Sequence, residues 1–249
     1  MPRNTEHALS FGQAASDYEK GRPSYPREAV DWLIDRAGAT GSVHDAVDVG
    51  AGTGKFTTSL VAHGLAVTAV EPDPHMLSRL SINHPSVTAL NGSAEALPLE
   101  DASVDLVTFA QAWHWVDVPT ASAEAARVLR PGGALGLVWN IRDDSVAWVA
   151  ALAEVMGASA AEEYNSTTPS IAAPLRLEDY AEFRWENPLG REELLAMVAS
   201  RSYVITMEAA ARAALLLELE ELLDSHPDTV GLDEYRMPYV TRVSIARSA

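Results

Sequence analysis

Asp45-Ala46-Val47-Asp48-Val49-Gly50-Ala51-Gly52-Thr53-Gly54 is the stretch that decides the fold. A short run with the composition of a buried strand passes into a loop in which every second residue is glycine. KFTTSLVAHG (55–64) then reads as a helix that Gly64 stops. Glycines at a strand–helix junction permit positive φ and let a ligand approach the backbone with no Cβ in the way. Thr53 is placed to cap the helix.

Outward from this unit the alternation repeats. Ala66–Val70 reads as a second strand, and Pro74–Asn83 as a helix with Met76, Leu77 and Leu80 on one face. Val87–Leu90 and Val104–Ala110 are strands, Pro119–Leu129 is a helix, and Ala134–Trp139 is a fifth strand after a turn at Pro131-Gly132-Gly133. Short apolar strands separated by helices predict an α/β fold, a doubly wound parallel sheet covered on both faces. Upstream, Ala8–Gly21 reads as a helix, and Pro26 opens a second with Ala29, Val30, Leu33, Ile34 and Ala37 at helical spacing. Downstream the pattern loosens. Val146–Met156, Arg191–Ala199 and Met207–Leu223 read as helices, Ser159–Pro174 as a polar loop or cap, and Tyr180–Glu186 and Tyr239–Ala246 as strands. The expected organisation is a single domain over 1–249: lid helices in 1–40, a binding core in 41–140, and a substrate-side cap with further strands in 141–249.

Composition narrows the function. Hydrophobic residues at 47% and charged residues at 21% fit a globular domain. The absence of cysteine excludes disulfides, thiolate metal sites and a cysteine nucleophile. The seven histidines show no metal-ligand spacing, so no metal is expected. A formal charge of −17 argues against nucleic acid and anionic membrane as partners. With no apolar stretch of bilayer length and no apolar signal core in MPRNTEHALSFG, a cytoplasmic location is expected. A homodimer is left open.

The loop itself speaks about its ligand. Its spacing is Gly-x-Gly-x-Gly, not the dinucleotide Gly-x-Gly-x-x-Gly. Asp48, just before the first glycine, is a poor neighbour for a pyrophosphate and a good one for an ammonium group. S-adenosylmethionine (SAM) carries such an ammonium and no phosphate. Glu71, 21 positions after Gly50, is placed to accept hydrogen bonds from two ribose hydroxyls. NAD shares that ribose, so Glu71 supports an adenosyl ligand without choosing between the two. The loop after the third strand, Gly92–Pro98, can present Ser93 or Glu95 to an adenine edge, with Met76 against the ring.

Taken together, Ala15-Ser16-Asp17-Tyr18, Arg22-Pro23-Ser24-Tyr25-Pro26, VDVGAGTGKFT, VEPDPHML, GSAEALPLEDASVDLV, AQAWHWVD and ARVLRPGGALGLVW resemble the class I SAM-dependent methyltransferases. The likeness is to the small-molecule branch of the trans-aconitate and ubiquinone/menaquinone-type enzymes, and it covers roughly residues 10 to 140. It implies a Rossmann-like seven-stranded sheet of order 3-2-1-4-5-7-6 with its last strand antiparallel. It also implies SAM as cofactor, S-adenosylhomocysteine as product and a small-molecule acceptor, with methylation expected at an oxygen of a carboxylate or a hydroxyl. Carried over by position, Asp48, Gly50, Ala51 and Gly52 line the methionine and ribose portions of SAM. Glu71 and Pro72 flank the ribose; Met76, Ser93, Ala94 and Glu95 frame the adenine; Gln111 and Ala112 approach the sulfonium. Many relatives have an acidic residue where Ser93 stands, which moves the adenine contact toward Glu95.

Gln111-Ala112-Trp113-His114-Trp115 lies where the acceptor arrives. His114 is the candidate base, since an imidazole titrates near neutrality, or else it orients the loop. Trp113 and Trp115 are candidates for an apolar wall, Trp139 and Asn140 for the pocket, and Tyr18, Arg22 and Tyr25 for a lid. Rival readings are a nicotinamide oxidoreductase, which needs the missing glycine spacing, a non-catalytic SAM-binding protein, and a protein or RNA methyltransferase.

Overall fold

The computed structural model describes residues 22–157 and 168–248. The apolar strand at the centre of the sequence argument, β1 (Asp45–Val49), is an interior strand of the sheet, next to the central one. It pairs in parallel with β2 (Ala66–Glu71) on one side and β4 (Val104–Ala110) on the other. β3 (Thr88–Asn91) lies beyond β2 and β5 (Leu129–Arg142) beyond β4, again in parallel. β7 (Glu234–Ser248) runs antiparallel to β5, and β6 (Leu175–Gly190) pairs antiparallel with β7 at the edge. The order is β3-β2-β1-β4-β5-β7-β6, as the family resemblance implies.

Successive strand residues point to opposite faces, and this builds two cores. Val47, Val107, Leu135 and Leu137 pack with Ala121, Ala125 and Val128 of α4 (Val118–Val128). Their neighbours Ala46, Leu106 and Ala134 pack the other way. There they meet Val30 and Leu33 of α1 (Arg27–Ala37) and Phe56 and Leu60 of α2 (Lys55–Ala62). α3 (Pro74–Asn83) starts at Asp73, whose carboxylate accepts from the His75 and Met76 amides. A third cluster joins α5 (Ala147–Met156), α6 (Arg191–Ala199) and α8 (Ala209–Ser225) to the β6 and β7 ends; the short α7 (Ser202–Ile205) lies between α6 and α8.

Several expectations need correction. α1 is not a lid helix: Ala29, Val30, Leu33 and Ala37 are buried against the sheet. The predicted Ala8–Gly21 helix and Tyr18 lie outside the described residues, as does 159–167 of the predicted loop. β6 and β7 run far beyond the expected Tyr180–Glu186 and Tyr239–Ala246, because each supplies the other's hydrogen-bond ladder over polar stretches. Pro131-Gly132-Gly133 is no free turn but a bulge within β5. Leu129 stands opposite Val104 and Ala134 opposite Leu106, so the residues between are squeezed out of register. Among the described residues no helix is long and apolar enough to cross a membrane.

Candidate functional site

At the carboxyl ends of β1 and β4 lies an open cleft. Asp48, Gly50, Ala51, Thr53 and Lys55 line it from the β1 loop, Gln111 and Asn140 from β4 and β5, and Arg22, Pro23 and Tyr25 from the chain before α1. This is where ligands bind in an open α/β sheet.

The loop's shape is fixed from several sides. The Gly50 and Ala51 amides both donate to Val70 O of β2, at 2.8 and 3.2 Å. Gly50 has φ +66, and a Cβ there would stand 2.7 Å from the Cβ of Ala112, so two loops touch only because it is glycine. Asn83 Nδ2 donates to Thr53 O from the end of α3. Thr53 does not cap α2: Gly54, with φ 93, holds the cap position. The Thr53 hydroxyl is instead buried on the cleft lining without a hydrogen-bond partner.

Two buried carboxylates flank this loop. Asp48 is 1% exposed; its Oδ2 accepts from Thr57 Oγ1 at 2.7 Å and its Oδ1 from Thr108 Oγ1 at 3.2 Å. Burial pushes its pKa up to about 6 against the pull of those hydroxyls. Glu71 Oε2 accepts from the Gly52 amide at 2.8 Å and Oε1 from the Asp73 amide at 2.9 Å. Burial raises it to about 7; those two amides lower it, and Asp73 and Asp48 add repulsion. Glu71 therefore staples the glycine loop to the end of β2.

The remaining candidates divide. Pro72 O accepts from Asn91 Nδ2, and Met76 is 3% exposed beside Asp73. Ala94 packs into the core, Ser93 bridges to Ala96, and Glu95 Oε1 accepts from the Asp117 amide at 2.9 Å. These residues follow β2 and β3 and are not part of the cleft lining. Gln111 holds a left-handed backbone, φ 58, and its Nε2 donates to Asn140 O at 2.8 Å. Such strain in a non-glycine residue persists only where the surroundings fix it.

Trp113 does not form a pocket wall. It is fully buried, donates from Nε1 to Ser170 O at 2.8 Å and meets Phe109 edge-on. Trp139 is buried in the same cluster. Their size wins them core positions over exposed ones. Trp115 is half-buried beside His114, with ring centroids 4.7 Å apart. The His114 pKa falls to about 4 through burial, with Arg22 adding repulsion. The imidazole is thus neutral at pH 7 but a weak base, so the premise that it titrates near neutrality does not hold. Sequence reading missed Thr57, Thr108 and Lys55. The first two read as ordinary helix and strand residues in KFTTSLVA and VDLVTFA, because their partner Asp48 lies elsewhere in the chain. Among the described residues no three His, Asp or Glu side chains gather as metal ligands.

A sheet of this order, with a glycine loop ending β1 and an acidic residue ending β2, defines the class as that of the class I SAM-dependent methyltransferases. Comparison agrees. Residues 47–137 match the methyltransferase domain family. An uncharacterized methyltransferase of Mycobacterium tuberculosis is 47% identical over 234 residues, covering 94% of this chain and 93% of that one. A methyltransferase-like protein of Schizosaccharomyces pombe is 35% identical, covering 93% of each. A solved structure described as a type II methyltransferase, from Anaeromyxobacter dehalogenans, superposes with a TM-score of 0.68 at 27% identity, over 91% of this chain and 97% of that one. The chain belongs to the class I SAM-dependent methyltransferase family.

Proposed function

We propose that the protein transfers the SAM methyl group to an oxygen of a small-molecule acceptor in the cytoplasm. The observation that carries this reading is the cleft itself, which sets Asp48, the unpartnered Thr53 hydroxyl and Arg22 around one volume. Asp48 suits the SAM ammonium and Glu71 the ribose. Pro72, Met76, Ser93, Ala94 and Glu95 continue the line toward the adenine, and Gln111 and Ala112 stand beside the sulfonium. With a good leaving group, holding donor and acceptor in line supplies most of the catalysis. A neutral His114 suits an orienting hydrogen bond, or proton removal from a hydroxyl only as its conjugate oxygen forms. The acid excess disfavours RNA as acceptor. A malonyl-[acyl-carrier protein] O-methyltransferase of Erwinia pyrifoliae is 32% identical over 165 residues, 66% of this chain and 62% of that one, which favours oxygen as the acceptor atom.

The test is transfer of labelled methyl from SAM into a cell extract fractionated into small molecules, protein and nucleic acid. Label in the small-molecule fraction is expected. Label confined to protein or nucleic acid, or no label while SAM binds, overturns the reading.

A further inference from the structure

Asn140, on the cleft lining near the carboxyl end of β5, belongs to a directional chain of hydrogen bonds. Trp185 of β6 is a donor only, and its Nε1 donates to Thr241 Oγ1 at 2.8 Å. The Thr241 hydroxyl accepts that proton and sends its own to Asn140 Oδ1 at 2.6 Å. Thr241 is fully buried and stands opposite Asn140 in the β5–β7 ladder. With Oδ1 so engaged the amide has one orientation, and Nδ2 donates to the Ser24 carbonyl at 2.9 Å. A flipped amide would set its oxygen against that carbonyl, acceptor to acceptor. Gln111 Nε2 holds the Asn140 backbone oxygen from the β4 side. Ser24 sits in the Arg22–Pro26 strap, whose Arg22, Pro23 and Tyr25 line the cleft, with Tyr25 edge-on to Phe56 at 4.8 Å.

We infer that Asn140 is a positioning residue: oriented by Thr241, it latches the strap to the sheet and so sets where Arg22 stands over the bound cofactor. The effect on cofactor binding rests on the SAM reading above; the latch itself does not.

The chain has no cysteine, so Ser24→Cys gives one attachment point for a nitroxide probe. Ser24 is exposed and contributes only its backbone carbonyl to the latch. In that background, Thr241→Val removes a hydroxyl outside the cleft, and Asn140→Asp keeps the acceptor for Thr241 but turns an oxygen toward Ser24. Both variants are expected to show a mobile nitroxide spectrum and a SAM Kd raised about fivefold, the scale of one hydrogen bond. A merely structural role for Thr241 would lower Tm and leave spectrum and Kd unchanged, and that result overturns the latch. If Thr241→Val does not fold, Asn140→Asp decides alone. Absence of SAM binding in the parent would sink the methyltransferase reading, while the nitroxide spectra still judge the latch.

Discussion

Replacing Asp48 with asparagine should stabilise the unliganded protein while damaging its affinity for SAM. A carboxyl whose pKa rises from 3.8 to about 6 on folding binds more protons in the folded state. Stability from this group is full below pH 3.8 and is lost as pH climbs through about 6. The rise corresponds to about 3 kcal/mol lost by pH 8. Asparagine stays neutral, and the Thr57 and Thr108 hydroxyls can turn to meet it, since each both donates and accepts. Its extra amide proton costs about 1 kcal/mol of that gain. The net is about 2 kcal/mol, or about 4–8 °C in Tm for a chain of this size. Tm measured by circular dichroism from pH 4 to 8 gives the comparison. The Asp48→Asn difference should be slightly unfavourable at pH 4, by about 1 kcal/mol, because Asp48 is then protonated in the fold and only the amide's cost remains; it should turn favourable as pH rises through about 6 and level off near about 2 kcal/mol above pH 7. Glu71 titrates in both proteins and drops out of the difference to first order. A pH-independent difference, or a variant less stable at pH 8, refutes the reasoning. Calorimetric titration with SAM should show the opposite sign, because the ammonium has lost its counter-charge.

Other consequences follow from the same geometry. Glu71→Ala frees the Gly52 amide and removes the ribose acceptor, so SAM affinity should fall about 10–100-fold; unchanged affinity in a folded variant removes the ribose assignment. His114→Ala should lower kcat more than SAM affinity, and full activity would exclude it from the chemistry. Because that imidazole is neutral down to about pH 4, the wild-type kcat profile should show no His114 limb near neutrality; a limb near pH 6.5 that vanishes in His114→Ala would contradict this. Gly50→Ala sets a methyl 2.7 Å from the Ala112 Cβ at φ +66, which should cost about 1–3 kcal/mol by chemical denaturation and abolish SAM binding.

The β1 loop was legible in the sequence because its signal is local. Strand, glycines, Asp48 and Glu71 all fall within one strand–helix–strand unit, and the structure brings the loop and Glu71 into contact through the Gly52 amide. What stayed hidden depends on partners distant in sequence. β6 looks polar and irregular until β7 is set beside it from Leu175 to Gly190, with one register shift between Leu177 and Asp179. Thr108 reads as an ordinary strand residue until β1 brings Asp48 within reach. Trp113 beside His114 looks like a site residue, but a side chain of that size next to Phe109 fills the core first. The His114 pKa is set by burial and by Arg22, neither of which a single sequence displays.

The strongest argument for where this protein works needs no relative. A sequence optimised for stability alone would bury no carboxylate at a cost, force no glutamine into the left-handed region and leave no hydroxyl unsatisfied. This chain does all three within one cleft: Asp48, Gln111 and Thr53 all line the same volume. A ligand with an ammonium and further polar groups would engage Asp48 and Thr53 when it binds. The local cost of these features is then a measure of binding energy held in reserve. That is why the Asp48→Asn comparison, in which stability and affinity must move in opposite directions, tests the site as well as the residue.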